Sequence, residues 1–429
     1  MLDLTAEQSL PEQSLPEQSL SERGLTADGA VAAAWRDPGR YWRSLTEATA
    51  HLPAPVAVIE RDALRHNAMD LLVRAGGIPI RVATKSVRVR SVLDAVLAIP
   101  GFQGILAFTL AEALWLAEDH DDIVLGYPTV DRAGLAQLLS DERLASRITL
   151  MVDAIEHLDL IDAIAAPAQR PEVRVAIDVD ASLRAPGLGH IGVRRSSLYT
   201  AADVAGFARQ VVRRPGFRLV GLQMYEAQIA GQGDAAGIDA PVIRMVQARS
   251  RDELRRRRAE IADAMLPIAP LEFLNGGGTG SLEFTGSDES LTEATAGSGL
   301  LGGHLFDGYR SFRHAPATGF AFDVVRKPTP DIATVLGGGW IASGPAVASR
   351  QPKIVWPPRL HTLPREAAGE VQTPLQGDAA RDLKVGDRVW FRHAKSGEPA
   401  ERVDRYQLVA QGAVVDELPT YRGEGKAFL

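Results

Sequence analysis

Short apolar runs alternate with helical patterns from residue 56 onward, and this alternation constrains the fold more than any other feature of the sequence. Eight such runs are rich in branched apolar residues, as β-strands are. They span residues 56–60, 78–84, 104–109, 123–127, 148–152, 173–179, 219–225 and 271–275. Strands that alternate with helices over roughly 250 residues are typical of a (β/α)8 barrel, and a doubly wound sheet is the alternative.

The pattern changes from about Phe322 onward, where glycine and proline become frequent and short β-like runs replace the alternation. We therefore predict an α/β chain with a (β/α)8 TIM-type barrel over residues 56–321, followed by a smaller all-β domain over residues 322–429. The repeated Pro-Glu-Gln-Ser-Leu unit near the start predicts a disordered low-complexity tail over residues 1–30. Residues 31–55 are predicted to form a helical lead-in that packs on the body.

Composition and charge exclude several classes of function. The chain has no cysteine, so disulfides, thiolate metal sites and cysteine nucleophiles are excluded. The formal net charge is −7 and no long basic stretch occurs, so no nucleic-acid partner is expected. The arginine-rich stretch at residues 249–265 predicts a solvated helix face, since neighbouring acidic residues can pair with it. Without a long apolar run or a secretion signal, we expect no membrane partner and a soluble cytoplasmic protein.

A lysine ends the second of the eight apolar runs. Residues 78–84 form a β-rich stretch, Lys85 follows it, and a helical pattern begins near Val87. Catalytic side chains meet at the carboxyl ends of barrel strands. A lysine held there and partly shielded from water can act as an amine nucleophile toward a carbonyl group. A single strand-end lysine is more often an exposed surface residue, so this interpretation requires a second feature.

The second feature is a glycine-rich loop after the eighth run. Its residues are Asn275, Gly276, Gly277, Gly278, Thr279, Gly280 and Ser281. Consecutive glycines allow backbone N–H groups to turn toward one point, as in phosphate-binding loops. Barrels of this kind frequently bind phosphate in the loops after strands seven and eight. The loop fits neither the dinucleotide-binding pattern nor the Walker pattern.

A strand-end lysine and a phosphate loop on one barrel together suggest pyridoxal 5'-phosphate as the cofactor. Lys85 would hold the cofactor aldehyde as a Schiff base, and the loop would hold the phosphate. The run at residues 56–60, the strand that ends on Lys85 and the loop at residues 275–281 resemble the fold type III pyridoxal-phosphate enzymes, which have an alanine racemase-like barrel. The resemblance covers about residues 53–420 and is strongest to the D-threonine aldolase and D-serine dehydratase branch.

The resemblance implies further cofactor-binding residues. Arg184 matches an arginine that lies near the cofactor ring, with Arg194 as the alternative because residues 185–190 look like an insertion. Tyr225 matches a tyrosine beside the cofactor, although the residue alone is more typical of a protein core. Residues 295–307 resemble a segment whose backbone helps to close the site.

His393 is the candidate from the C-terminal region. In the branch that the chain resembles, a histidine here binds a divalent metal together with an acid or a cysteine two residues later. That later position is Lys395, which cannot coordinate a metal while it is charged. Glu398 or Glu401 could complete a site for manganese, zinc or magnesium. The alternative is that His393 acts as a base or proton donor without metal.

The resemblance implies a lyase that acts on D-configured β-hydroxy amino acids, with Lys85 and His393 as catalytic residues. It would yield glycine and an aldehyde by retro-aldol cleavage, or a keto acid by dehydration and deamination. One alternative is an amino-acid racemase with Tyr406 or Tyr421 as its second acid–base residue, and another is a non-catalytic carrier of the cofactor. The expected partners are a small amino-acid substrate and a second copy of the chain in a homodimer.

Overall fold

Two sheets organise the part of the chain that the computed structural model describes, which is residues 2–5, 34–185, 187, 189–235 and 237–429. In chain order the strands are Val56–Glu60 (β1), Ile80–Ala83 (β2), Phe102–Ala107 (β3), Ile123–Leu125 (β4), Ile148–Val152 (β5), Val173–Asp178 (β6), Leu183–Ala185 (β7), Gly189–Ile191 (β8), Phe217–Met224 (β9), Phe273–Gly276 (β10), Glu293–Ala296 (β11), Thr318–Thr329 (β12), Ile332–Leu336 (β13), Lys353–Trp356 (β14), His361–Thr362 (β15), Gln372–Gln376 (β16), Arg388–Arg392 (β17), Arg405–Ala410 (β18) and Ala413–Pro419 (β19).

Eight of these strands close a parallel barrel in the order β10-β11-β2-β3-β4-β5-β6-β9. Their side chains are almost all buried, because helices cover the outside of the barrel while side chains fill its interior. The hairpin of β7 and β8 is inserted between two barrel strands. The predicted barrel is therefore confirmed, and all strand carboxyl ends meet at one mouth.

The helices alternate with the barrel strands as the sequence predicts. They are Pro38–Ala48 (α1), Arg61–Ala75 (α2), Arg90–Leu97 (α3), Leu110–Leu116 (α4), Arg132–Leu139 (α5), Glu142–Arg147 (α6), Ile155–Ile164 (α7), Ala201–Arg213 (α8), Ala227–Ala230 (α9), Ala240–Met265 (α10), Leu282–Gly286 (α11) and Ser298–Leu301 (α12). Side chains cap several of them, and Glu60 accepts the Ala63 N–H at the start of α2. No helix in the described ranges is long and apolar enough to cross a membrane.

The other large sheet has nine strands and contains the C-terminal region. Its main path is β15-β16-β13-β12-β1-β18-β19, and β17 pairs with both β12 and β14. The predicted β-rich C-terminal region is confirmed. Strand β1, predicted as the first barrel strand, lies instead between β12 and β18 in this sheet. Strand β11, which the sequence pattern did not reveal, takes its place in the barrel, so the glycine-rich loop follows the seventh barrel strand rather than the eighth.

The residues before β1 pack on the second sheet. Helix α1 buries Trp42 against Trp390, with ring centres 5.7 Å apart, and Trp390 donates its indole N–H to the Thr46 hydroxyl at 2.8 Å. Leu2 and Leu4 are also buried in the main core, so at these positions the prediction of a disordered tail is wrong. Residue 1 and residues 6–30 of that predicted tail lie outside the described residues.

Candidate active site

Lys85 lies at the barrel mouth, in a short turn (Thr84–Ser86) that directly follows β2. Its ammonium nitrogen is 2.6 Å from the hydroxyl oxygen of Tyr127, which follows β4. The turn packs against the C-terminal region, because an added Cβ on Gly397 would collide with the Lys85 carbonyl oxygen. The ends of two barrel strands thus bring an amine and a phenol into contact.

Two tyrosines at the mouth share one arginine. The Arg195 guanidinium lies 5.4 Å from the centre of the Tyr127 ring and 5.5 Å from the centre of the Tyr225 ring. Burial alone would raise the pKa of Tyr127, but the charge and hydrogen bond of Lys85, together with the charge of Arg195, outweigh it and lower that pKa. Burial and the charge of Glu226 raise the pKa of Tyr225 to about 12. The two phenols therefore differ in acidity.

The arginine next to these two rings is Arg195, whereas the sequence resemblance implies Arg184 or Arg194. Arg184 instead donates to the Asp180 carboxylate at 2.6 Å and lies 4.0 Å from the centre of the Tyr199 ring. Arg184 is in β7, whereas Arg195 follows the β7–β8 hairpin, and the sequence pattern does not reveal which side of the hairpin faces the mouth. In these contacts Arg184 is not beside Tyr127 or Tyr225, and its predicted role near the cofactor ring stays a prediction.

The glycine-rich loop connects β10 to α11 and packs closely against its neighbours. A Cβ added to Gly278 would lie 2.9 Å from the Ala230 Cβ and 3.1 Å from the ring of Tyr225. A Cβ added to Gly280 would collide with the Ala230 carbonyl oxygen. Only glycine leaves room at these two positions, and the predicted cofactor residue Tyr225 lies directly beside the loop.

A buried carboxylate holds this loop in place. Glu226 accepts hydrogen bonds from the Gly277 N–H at 3.0 Å, the Ser281 hydroxyl at 2.8 Å and the Thr285 hydroxyl at 2.9 Å. It also pairs with the equally buried Arg258 at 2.7 Å. Burial opposes the charged form of Glu226, but Arg258 and the hydrogen-bond donors outweigh it and lower its pKa. The buried ion pair of Glu226 and Arg258 therefore stabilises the position of the glycine-rich loop.

Arg258 comes from α10, whose arginines the sequence predicts as a solvated face. That prediction is wrong for Arg257 and Arg258, which are buried. Besides Glu226, Arg258 contacts the Asp288 carboxylate at 3.2 Å. Arg256 does lie on the exposed face of the helix. Four consecutive arginines cover more than one face of a helix, so some of them point inward.

Hydrogen bonds link the glycine-rich loop to His393. The Thr279 hydroxyl accepts the Gly299 N–H at 3.1 Å and lies 3.2 Å from the Ser298 hydroxyl. The Ser298 carbonyl accepts the Ser396 hydroxyl at 2.6 Å, and that hydroxyl is 3.3 Å from Nε2 of His393. The predicted phosphate loop and the predicted catalytic histidine are thus connected through the segment after β11.

The expected metal site of His393 and Glu398 is not formed. His393 is buried, and burial together with the Arg392 charge lowers its pKa to about 3, so its ring is neutral. The Glu398 carboxylate accepts the Ser343 N–H at 2.9 Å and lies 3.6 Å from the Lys395 ammonium. Across the described residues, no three histidine, aspartate or glutamate side chains are arranged to hold a metal. The residues present therefore do not fit one.

The remaining candidates from the sequence lie elsewhere. Nε2 of His304 is 2.8 Å from the Gln351 carbonyl oxygen, and His361 is exposed in β15. Glu401 contacts Arg88 at 2.5 Å. The two tyrosines proposed for a racemase, Tyr406 and Tyr421, are both buried. Within the described residues, the phenol that contacts Lys85 is Tyr127.

A buried carboxyl group, that of Glu112, lies next to the turn that contains Lys85. Glu112 accepts the Phe108 N–H at 2.8 Å, and the hydroxyls of Thr84 and Tyr421 lie near enough to oppose the rise of its pKa. Thr84 is the residue before Lys85, and Tyr421 comes from the C-terminal region. The position of the lysine therefore depends on contacts from both parts of the fold.

This carboxyl group predicts a pH-dependent stability. Burial raises the pKa of Glu112 to about 7, so the group favours folding below its unfolded pKa of about 4.3 and loses that contribution as the pH rises to about 7. We therefore compare the unfolding free energy of Glu112→Gln with that of the wild-type protein at two pH values. The change caused by the substitution should be more stabilising at about pH 8 than at about pH 4, by on the order of 3 kcal/mol. Urea denaturation at both pH values measures the difference. Exposed Glu118→Gln is the control, and an equal effect of Glu112→Gln at both pH values would contradict the prediction.

Five side chains of the site are not among those singled out from the sequence: Tyr127, Arg195, Glu226, Arg258 and Asp178, whose negative charge acts on Tyr127. Tyr127 and Asp178 lie at the ends of barrel strands, so the rule that identifies Lys85 applies equally to them. Glu226 directly follows Tyr225, but its pairing with a distant helix has no local signal. The same is true of Arg258, which resembles its exposed neighbours.

Comparisons with known proteins agree with this geometry. A family model described as alanine racemase, N-terminal domain, matches residues 59–303. A D-threonine aldolase from Arthrobacter sp is 28% identical over 243 residues, which cover 54% of this chain and 57% of that protein. The chain thus spans just over half the length of this curated relative.

Two solved structures share the fold at low sequence identity. The D-threonine aldolase from Filomicrobium marinum has a TM-score of 0.68 at 18% identity, covering 87% of this chain and 96% of that chain. The D-threo-3-hydroxyaspartate dehydratase from Delftia sp. HT23 has a TM-score of 0.67 at 20% identity, covering 86% and 97%. Since the family model matches more than half of the chain, the protein belongs to the alanine racemase N-terminal domain family, the fold type III group of pyridoxal-phosphate enzymes.

Proposed function

We propose that the protein is a pyridoxal-phosphate-dependent lyase that acts on D-configured β-hydroxy amino acids. The observation that supports the proposal is a series of contacts that runs from the Lys85 amine through Tyr127 and Arg195 to the Tyr225 ring and the glycine-rich loop. A D-threonine aldolase and a D-threo-3-hydroxyaspartate dehydratase among the similar proteins support this substrate class. Cleavage and dehydration give different products, so product analysis distinguishes the two reactions.

The residues at the mouth fit the cofactor. The N–H groups of Thr279 and Gly280 have no hydrogen-bond acceptor within the described ranges, so they could donate to a bound phosphate. Gly276, Gly277 and Ser281 complete the loop that would hold the phosphate, in the manner of backbone anion sites. Lys85 would bind the aldehyde. When bound, pyridoxal phosphate accepts the electron pair released as a bond at the substrate α-carbon breaks.

The protein side chains would position the substrate and move protons. Lys85 would take or return a proton at the α-carbon. His393 is proposed to interact with the substrate hydroxyl, because its Nδ1 has no hydrogen-bond partner in the described part of the chain. No step requires a metal. The homodimer and the cytoplasmic location stay predictions.

The proposal predicts that purified protein binds pyridoxal phosphate at Lys85. Protein supplied with the cofactor should acquire a visible absorbance band that borohydride removes, because reduction converts the imine bond to a stable amine. Peptide mass mapping should then place the pyridoxyl group on Lys85. Protein that stays colourless with added cofactor, or a label spread over surface lysines such as Lys384, would contradict the proposal.

Product analysis then distinguishes the reactions. With D-threonine, cleavage yields glycine and acetaldehyde, whereas dehydration yields a keto acid and ammonia. An unchanged amino acid of inverted configuration would favour a racemase instead. The assay is also run with and without a chelator. Because the residues present do not fit a metal, we expect the same rate in both.

A further inference from the structure

Tyr127 is the one phenol that contacts the amine of Lys85 within the described residues. The distance between the Lys85 nitrogen and the Tyr127 oxygen is 2.6 Å, which is short for a hydrogen bond with a charged donor. Both residues lie at the ends of barrel strands, on β2 and β4, which are separated by one strand. The contact is therefore set by the barrel itself.

The groups around Tyr127 favour its charged form. Arg195 faces its ring from the segment after β8, so Lys85 and Arg195 together place two positive charges beside it. Asp178, at the end of β6, and Tyr225, after β9, face it from the other strands and oppose a negative charge. The pKa of Tyr127 is nevertheless lowered, because the two cations outweigh burial and these groups.

We propose, on the basis of the function proposed above, that Tyr127 is a catalytic acid–base residue that accepts a proton from the Lys85 ammonium and returns it. The N–H bond of the ammonium breaks as the O–H bond of the phenol forms, and the electron pair stays on the nitrogen. The amine that remains is neutral and nucleophilic. The reverse transfer restores the ammonium and the phenolate, so no further reactant is needed.

The neighbouring tyrosines show why the assignment is specific. Tyr225 lies beside the same arginine, but its pKa is raised to about 12, so its hydroxyl stays protonated at neutral pH and has no phenolate to accept a proton. Tyr199 lies 4.0 Å from Arg184 and 3.9 Å from Arg257, measured from ring centre to guanidinium, so it also has two cationic neighbours. Only Tyr127 of these three combines cationic neighbours with a hydrogen bond to the reactive lysine. Tyr199→Phe is therefore a matched control.

The first test uses the cofactor-free protein and follows tyrosinate absorbance during a pH titration. We expect one tyrosine of the wild-type protein to ionise below the ordinary value of about 10. Tyr127→Phe should remove this early titration, Lys85→Met should move it to higher pH, and Tyr199→Phe should leave it in place. An early titration that survives Tyr127→Phe, or one that is unaffected by Lys85→Met, would overturn the proposal.

The second test uses the protein loaded with pyridoxal phosphate. Tyr127→Phe should lower kcat on the order of 10²-fold while the dissociation constant of the cofactor changes much less, because general acid–base groups contribute about that much to rate. A variant that binds cofactor weakly but turns over normally once saturated would overturn the proposal. If the wild-type protein binds no cofactor, the proposed function fails, and the titration still decides whether Tyr127 and Lys85 share a proton.

Discussion

Replacing Lys85 with alanine is expected to lower kcat/KM for the proposed substrate on the order of 10⁴-fold, with little change in stability. The loss is large because the amine would form the covalent link to the cofactor and would also move the proton at the α-carbon. Stability should change little, since Lys85 is only half-buried and its side-chain hydrogen bond goes to Tyr127. Steady-state kinetics and urea denaturation of the same variant measure the two effects separately.

Lys384→Ala is the control for this variant. Lys384 is exposed in the C-terminal region, and its replacement should leave turnover and the visible band unchanged. Lys85→Ala should lose the borohydride-trapped adduct completely, even if some cofactor still binds through the glycine-rich loop. Turnover by Lys85→Ala within about tenfold of wild type would rule out the assigned role, given the contribution that a covalent catalyst makes.

Replacing Arg258 with methionine is expected to destabilise the fold by about 3–5 kcal/mol. The change leaves the Glu226 carboxylate buried without its positive partner, and an uncompensated buried charge has a cost of that size. The same variant should bind pyridoxal phosphate more weakly, because Glu226 holds Gly277 and Ser281 in the loop. Urea denaturation at neutral pH and titration with the cofactor measure the two effects.

Two further variants make this prediction specific. Arg256→Met removes an exposed arginine of the same helix and should cost no more than about 1 kcal/mol. Combining Arg258→Met with Glu226→Gln should recover part of the lost stability, since the charge is removed with its partner. The pKa of Glu226 is lowered in the fold, so its stabilising contribution is present above about pH 4.3 and is lost as the pH falls further. Equal losses for Arg256→Met and Arg258→Met would contradict the prediction.

The barrel and its lysine are predictable from the sequence because they depend on local patterns. Buried parallel strands are continuous apolar runs, and Lys85 directly follows one of them. Strand β11 is missed because Glu293 and Thr295 interrupt its apolar run. Strand β1 is placed in the wrong sheet because an apolar run does not show which neighbours it pairs with.

The support of the site is much less predictable. Glu226 and Arg258 are 32 residues apart, and their pairing depends on how α10 packs against the barrel. The choice of Arg195 over Arg184 depends on the direction of an inserted hairpin. Such contacts follow from tertiary packing, so a pattern within a short window carries no information about them.

Strand β1 has a consequence for the order in which the chain can fold during synthesis. It leaves the ribosome early, but it pairs with Thr318–Thr329 on one side and Arg405–Ala410 on the other. Its edges therefore stay open until almost the whole chain has been made, since each pairing spans hundreds of residues. The barrel can close before that point, whereas the second sheet cannot. A nascent chain halted after the barrel would expose an unpaired apolar strand, which is a site for aggregation or chaperone binding.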